Sequence, residues 1–218
     1  MVHLSRCRVV ALWLWRPAWA ACSWVLGLSA FALLQMLHFT CRLQVEGIEH
    51  PDARRGVIHT FWHDAWFLWL VAFPRSQRDR AWLIHPAPYM QPIRIAVRLI
   101  GVRLVIALKG EDGRRASAGL AELLKQGWTT AIAPDGPHGP PKTLKRGVLH
   151  LAVQSGVPIV PVRCDARPAF RLRAWDRKVV PLPFARIRIR FGAPLTVDAD
   201  GFSEAERALT VSLTNAAN

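Results

Sequence analysis

"GVIHTFWHDAWFLWLVAF", residues 56–73, decides how this chain is read. "VIHTFW" has the β-branched and aromatic content of a strand, whereas "DAWFLWLVAF" is long and apolar enough for a helix, with Asp64 placed to cap its start. A strand that hands over to a helix inside one apolar run is the first half of an α/β unit. His63 then stands at the carboxyl end of the strand, where open α/β sheets bind ligands. His59 falls in the interior of the same strand, with its side chain on a covered face. Burying an unpaired charge costs several kcal/mol, roughly, so ionisable groups in such a run either satisfy one another or do chemistry.

The same alternation continues outward. "RDRAWLIHP", "VRLVIALKG", "WTTAIAP" and "VPIVPVRC" read as strands, separated by helices in "MQPIRIAVRLIG", "RRASAGLAELLKQG" and "VLHLAVQSG". Gly127 is placed as a C-cap. "RLQVEGIEH" adds a short strand upstream. The prolines of "VVPLPF" (179–184) are expected to mark a turn before the alternating strand "RIRIRF" (186–191), and the tail after Ala199 reads as a last short helix. Strands and helices recurring at ~30-residue spacing are the signature of parallel βαβ units. The expected fold class is α/β: a sheet of mostly parallel strands with flanking helices, over residues 44–218.

Residues 1–43 form a separate expectation. "AWAACSWVLGLSAFALLQMLHFT" (18–40) carries no charged residue, and a helix needs ~20 apolar residues to cross a bilayer. It exceeds the ~7–15-residue apolar stretch of a signal peptide, and Trp13, Trp15, Trp19 and Trp24 suit a membrane interface. A membrane-associated helix is expected, with a cleaved leader or a buried core helix as the alternatives. The formal net charge of +14 calls for anionic partners. Arg186, Arg188 and Arg190 line one face of their strand, which suits lipid headgroups or nucleic-acid phosphates. With an apolar helix on the same chain, membrane phospholipids are the expected partner and nucleic acid is not. The four cysteines show neither metal-ligand spacing nor a disulfide framework, which places the chain on the reducing side of a membrane.

Two loops hold the chemistry. In "HTFWHD", a histidine titrating near neutral pH can take a proton from a hydroxyl when a carboxylate fixes its tautomer. In "APDGPHGPPKTLKRG" (133–147), Asp135 and a glycine–proline turn precede Lys142, Lys145 and Arg146, and free backbone N–H groups beside cations can cradle a phosphate.

Taken together, "FWHD", "ALKGEDGRRASAGLAELLKQG", "PDGPHGPPKTLKRGVLHLAVQSGVPIVPV" and "WDRKVVPLPFARIRIRFGAPL" closely resemble, in order and spacing, a bacterial branch of the lysophospholipid acyltransferase-like superfamily. The resemblance runs from about Val45 to Leu195. It implies an acyltransferase in which a histidine activates an acceptor hydroxyl to attack the thioester of acyl-CoA or acyl carrier protein, a cosubstrate, with no bound cofactor and no metal. It maps a Trp-His pair onto Trp62 and His63. The wider superfamily spaces its acid five residues after the histidine, a spacing met by His59 and Asp64 and not by His63. His63 is favoured over His59 as the base because it is the one at the strand end. Asp64 is the expected orienting acid, with Asp135 or Asp112 as alternatives because adjacent side chains diverge. Lys109 and Gly110, Asp135, Gly136, Pro137 and Gly139, and Lys142 and Arg146 are the expected substrate-binding residues. Trp175 and Asp176 match the branch's "WD" pair, read here as a packing and hydrogen-bond clamp. Arg6, Arg8 and Arg16 would hold the N-terminus in the cytoplasm, so a full span would carry the domain away from acyl-CoA. A monotopic helix on the cytoplasmic face of the inner membrane avoids that. A metal-dependent phosphohydrolase using a His63–Asp64 dyad, and a non-catalytic lipid or nucleic-acid binding module, are the competing classes.

Overall fold

The computed structural model describes residues 3–47, 56–73, 79–107, 111–198 and 200–214, with side chains from residue 18 onward. A long first helix α1 (His3–Thr40) leads directly into β1 (Arg42–Glu46). Then come β2 (Ile58–Thr60), α2 (Trp66–Ala72), β3 (Ala81–Ile84), α3 (Gln91–Leu99), β4 (Arg103–Ile106), α4 (Glu111–Lys125) and β5 (Thr130–Ile132). The chain closes with α5 (Gly147–Ser155), β6 (Ile159–Arg171), β7 (Val179–Phe191) and α6 (Phe202–Thr214).

The strands lie in the order β1-β7-β6-β2-β5. The β3–β4 pair continues the sheet past β5 through Arg80 and Thr129, where Ala81 N–H donates to Thr129 O at 3.0 Å. Among these strands pairing is parallel except between β6 and β7, and an isolated antiparallel bridge joins Ile159 to Leu195. This is the expected α/β class, and its single antiparallel ladder is what the later geometry turns on.

Side-chain alternation along a strand splits the core into two layers. Ile58 of β2 and Ile159 of β6 face α4, α5 and α6, packing with Leu120, Leu149 and Leu209. Val160 of β6 with Ile187 and Ile189 of β7 face α2 and α3, packing with Leu68, Trp69 and Val97. Leu68 and Trp69 are fully enclosed, and burying such side chains stabilises by roughly 1.5–3 kcal/mol each.

Three local expectations need correction. The helix after His63 does not start at Asp64: His63–Ala65 form a 3₁₀ turn, and the α2 cap position is Ala65, with no side-chain bond. Asp64 is drawn instead to a cation described below. "VVPLPF" is not a turn but the first half of β7, and β6 runs on to Arg171, well past the expected end at Cys164. Proline lacks the N–H a ladder needs and is tolerated beside irregularities. The register slips between Arg167 and Ala169, and Phe184 takes φ 65, so the prolines are absorbed and a long hairpin results.

Helix α1 packs onto the α/β domain along one face. Leu34 and Leu37 join the core beside α2, His38 Nδ1 lies 2.9 Å from Val71 O, and Gly27 meets α3 at close range. A Cβ at position 27 would stand 2.7 Å from Ile95 Cβ, so only glycine permits this approach. The other faces of the helix carry Trp24, Val25, Leu28, Leu33, Met36 and Phe39 into the surroundings. Residues Ala18–Thr40 are long and apolar enough to cross a membrane.

Candidate active site

The site forms where β2 and β5 end side by side. Thr60 pairs with Ile132, so the chain leaving β2 through Phe61 and Trp62 runs next to the chain leaving β5. Asp135, three residues past β5, is buried and holds the two together. Its Oδ1 accepts from the His63 N–H at 3.0 Å, and its Oδ2 accepts from the Lys142 N–H at 3.1 Å. Burial pushes the Asp135 carboxyl above its ordinary range, against the pull of these two N–H donors. The loop also closes on itself, with the Gly136 N–H donating to Ala133 O and the Lys145 N–H to Pro134 O. Gly136 adopts φ +66, and the Lys145 ammonium lies over the space its missing side chain would fill.

The third wall comes from far along the sequence. Between β6 and β7 the hairpin turn folds back so that Asp176 Oδ2 accepts from His63 Nδ1 at 2.7 Å. The same oxygen accepts from the Lys178 ammonium. Trp175 stacks against the imidazole, with ring centroids 5.1 Å apart. Gly139 also lies against this indole, and an added Cβ there would come within 2.7 Å of it. The turn therefore clamps the histidine and the proline–glycine loop together.

Electrostatics fix the state of the ring. An ionised carboxylate only accepts, so Nδ1 carries the proton and Nε2 is left with a lone pair. Burial lowers the His63 pKa below 6.5 and the nearby Lys178 ammonium adds to this, while Asp176 pulls the other way. Burial alone would raise Asp176, but the hydrogen bonds from Lys178 and His63 prevail and hold it below the usual carboxylate range. The result is a neutral, oriented imidazole at pH 7 whose side chain is 19% exposed. Such a group is built to take a proton.

The other expected site residues fall into place around this centre or away from it. His59 is sealed between the rings of Trp69 and Phe191 at 5.1 and 5.4 Å, with 2% of its surface exposed. Asp64 does not orient His63: its Oδ2 accepts from Arg171 Nη1 at 3.3 Å, since neighbouring side chains at the start of a helical turn diverge. Arg146 points to Glu206 of α6 at 2.9 Å, away from the loop's mouth. Lys142 contributes its backbone N–H at φ 57 and leaves its side chain in the open. Pro137 and His138 are exposed on the loop, and Asp112 is exposed in the first turn of α4. Lys109 and Gly110 lie outside the described residues. Sequence reasoning misses Asp176 as the partner of His63, together with Lys178. The "WD" pair packs and hydrogen-bonds against the histidine, Trp175 through its ring and Asp176 through its carboxylate.

The sequence profile of the Acyltransferase family matches residues 42–165, more than half of the chain and spanning β1, His63 and the Asp135 loop. The chain belongs to the Acyltransferase family. Family membership assigns acyl transfer as the reaction class. The chain is also similar to the uncharacterized protein RP090 of Rickettsia prowazekii (strain Madrid E), at 25% identity over 181 residues, covering 81% of this chain and 83% of that one. Among solved structures it is similar to the 1-acyl-sn-glycerophosphate acyltransferase PlsC from Thermotoga maritima, with a TM-score of 0.50 and 19% identity over 89% of this chain and 79% of that one. At that identity the likeness speaks for the fold. Asp176 and its hairpin turn lie beyond the matched family segment, so the carboxylate bonded to His63 Nδ1 comes from outside it.

Proposed function

We propose that this acyltransferase moves a fatty acyl group from the thioester of acyl-CoA or acyl carrier protein to a hydroxyl of a lysophospholipid or related lipid, with His63 as general base. The observation that carries the proposal is the oriented, neutral imidazole, held by Asp176 through Nδ1 and by Asp135 through its backbone N–H. In the reaction, Nε2 takes the acceptor's hydroxyl proton as the oxygen attacks the thioester carbonyl. The tetrahedral intermediate collapses with loss of the thiolate, and the imidazolium returns its proton to that sulfur. Asp176 stabilises the imidazolium between the two steps. Backbone N–H groups of the loop after Asp135 and the cations Lys142 and Lys145 are the proposed grip on an anionic headgroup, and they need no metal.

The lipid acceptor is supported by the family and by the name of PlsC, which acts on 1-acyl-sn-glycerophosphate. It is supported also by α1, whose apolar outer faces suit an interfacial helix that holds the site where acyl chains are. A seat on the cytoplasmic face of the inner membrane is part of the proposal, because that is where an acyl-CoA or acyl carrier protein donor would be met. The competing phosphohydrolase reading relies on a His63–Asp64 dyad, and the pairing of Asp64 with Arg171 rather than with His63 speaks against it.

The test is thiol release from a series of acyl-CoA and acyl carrier protein thioesters, with lysophospholipids differing in headgroup. Lipid profiles of cells lacking the protein are compared with those of cells carrying His63→Ala. Matching altered profiles and a His63-dependent, acceptor-dependent thiol release support the proposal. A His63→Ala protein that restores the normal lipid profile refutes it.

A further inference from the structure

Strand β7 alternates strictly over its last half. Ile187, Ile189 and Phe191 are buried toward α2, which turns Arg186, Arg188 and Arg190 to the opposite face. The ladder with β6 sets Arg190 opposite Arg163, Arg188 opposite Asp165, and Arg186 opposite Arg167. On the other side, Arg186 stands opposite Arg42 of β1. Like charges directly opposite one another destabilise a sheet, and here three such pairs share one face. Every basic residue on it is an arginine, the side chain whose planar fork matches a phosphate.

The acids present do not satisfy this cluster. Asp165 accepts from Arg190 Nη2 at 3.0 Å, while Glu46 stands 3.7 Å from Arg188 Nε, beyond hydrogen-bond reach. Arg163 Nη1, Arg188 Nε and Arg190 Nε are buried and find no acceptor among the described residues. The face is also concave. A cleft of about 620 Å³ is lined by five of these arginines, by Asp165 and by Phe184, whose ring is 75% exposed at one wall. That volume is within the ~300–1,000 Å³ of small-ligand sites. None of its lining residues belongs to the His63 site.

We propose that this cleft is a second anion site, separate from the histidine, which binds a phosphate-bearing group by bidentate hydrogen bonds from Arg167 and Arg186, with Arg188 and Arg190 adding positive charge behind them. The group is carried either by a lipid headgroup or by a soluble phosphorylated molecule. The inference does not rest on the reaction at His63, and its readout is binding.

The test uses the full chain in a non-ionic detergent. Inorganic pyrophosphate and adenosine 3′,5′-bisphosphate are titrated by calorimetry, and vesicles of phosphatidylcholine with or without phosphatidylglycerol are used for co-sedimentation. Arg167→Gln with Arg186→Gln removes two exposed forks, and each charge-assisted fork removed is expected to weaken affinity about tenfold. The matched control is Arg114→Gln with Arg115→Gln on α4, which lowers the net charge equally and leaves binding intact. Arg167→Lys with Arg186→Lys keeps the charge without the forks, and falls between; it serves as the readout if the glutamine pair does not fold. Saturable binding of either soluble phosphate, weakened as described, identifies a soluble source. Binding to phosphatidylglycerol vesicles alone, with the same arginine dependence, identifies the headgroup. No binding by any probe, equal weakening by the control pair, or an arginine-dependent preference for a single-stranded oligonucleotide over the phosphate probes overturns the proposal.

Discussion

Replacing Asp176 with asparagine keeps the size of the side chain and removes its charge. In the native site Oδ2 accepts from His63 Nδ1 at 2.7 Å, which fixes the proton on that nitrogen and leaves Nε2 free to act. An asparagine amide presents both a donor and an acceptor, so it can hold the imidazole in the wrong tautomer, and it no longer offsets the positive charge that forms during the proton transfer. Correctly positioned general bases contribute ~10²–10⁴-fold, and loss of the orienting carboxylate in a serine-protease triad costs ~10⁴. Asp176→Asn is therefore expected to lower kcat/KM by about 10²–10⁴ with the fold intact. The pH profile gives a second readout. Activity needs neutral His63, so it rises through that residue's pKa, which burial places below 6.5 with Lys178 adding to the effect. Removing the Asp176 charge removes the largest influence raising this pKa, with only the weaker pull of Asp135 left, so the acid limb of kcat/KM moves to lower pH. Lys178→Met removes a repelling cation and moves the limb to higher pH. Thiol release from acyl-CoA, followed from pH 5 to 8 at fixed acceptor, measures both. An Asp176→Asn enzyme within threefold of the native rate, with its acid limb unmoved, refutes the reasoning.

Three further outcomes are expected. Asp64→Asn breaks only the ion pair with half-exposed Arg171, so kcat/KM stays within about threefold, consistent with the small worth of exposed ion pairs; a drop comparable to that of Asp176→Asn would return Asp64 to the site. Gly139→Ala places a methyl 2.7 Å from the Trp175 indole at φ +67, a clash and backbone strain costing about 1–3 kcal/mol. It should lower both the melting temperature and the activity, and unchanged tryptophan fluorescence together with unchanged activity would rule out the clamp. Gly27→Val drives a branched side chain into Ile95 and Pro92 O, so α1 should lift from α3 and become open to proteolysis near Leu34; protection equal to the native protein's would show that the helices do not pack this way.

Much of the molecule follows from local sequence. Strand and helix order is legible because apolar spacing and flanking glycines act over a few residues, and so is the position of His63 just beyond the end of β2. The loop from Ala133 to Gly147 is recognisable by its glycines and prolines, whose conformational limits are intrinsic. The charge-free run from Ala18 to Thr40 announces a helix that could meet a membrane before any fold is considered.

The partner of the histidine is of another kind. Asp64 is adjacent in the chain and Asp135 follows a strand known to be near, yet the acid on Nδ1 is Asp176, 113 residues away. That pairing depends on how far β6 and β7 extend, which sets where the turn carrying Asp176 lies. Local spacing suggests instead that "VVPLPF" marks a turn, because a proline's missing N–H counts against a ladder until an irregularity removes the need for it, and here Leu182–Ala185 of β7 bulge out opposite Pro168. Which arginines face one another across the sheet is likewise settled by pairing register, a property of two strands together and of neither alone. Sequence determined the histidine and its loop; only the folded hairpin, by bringing distant strands into register, decided which carboxylate holds its proton.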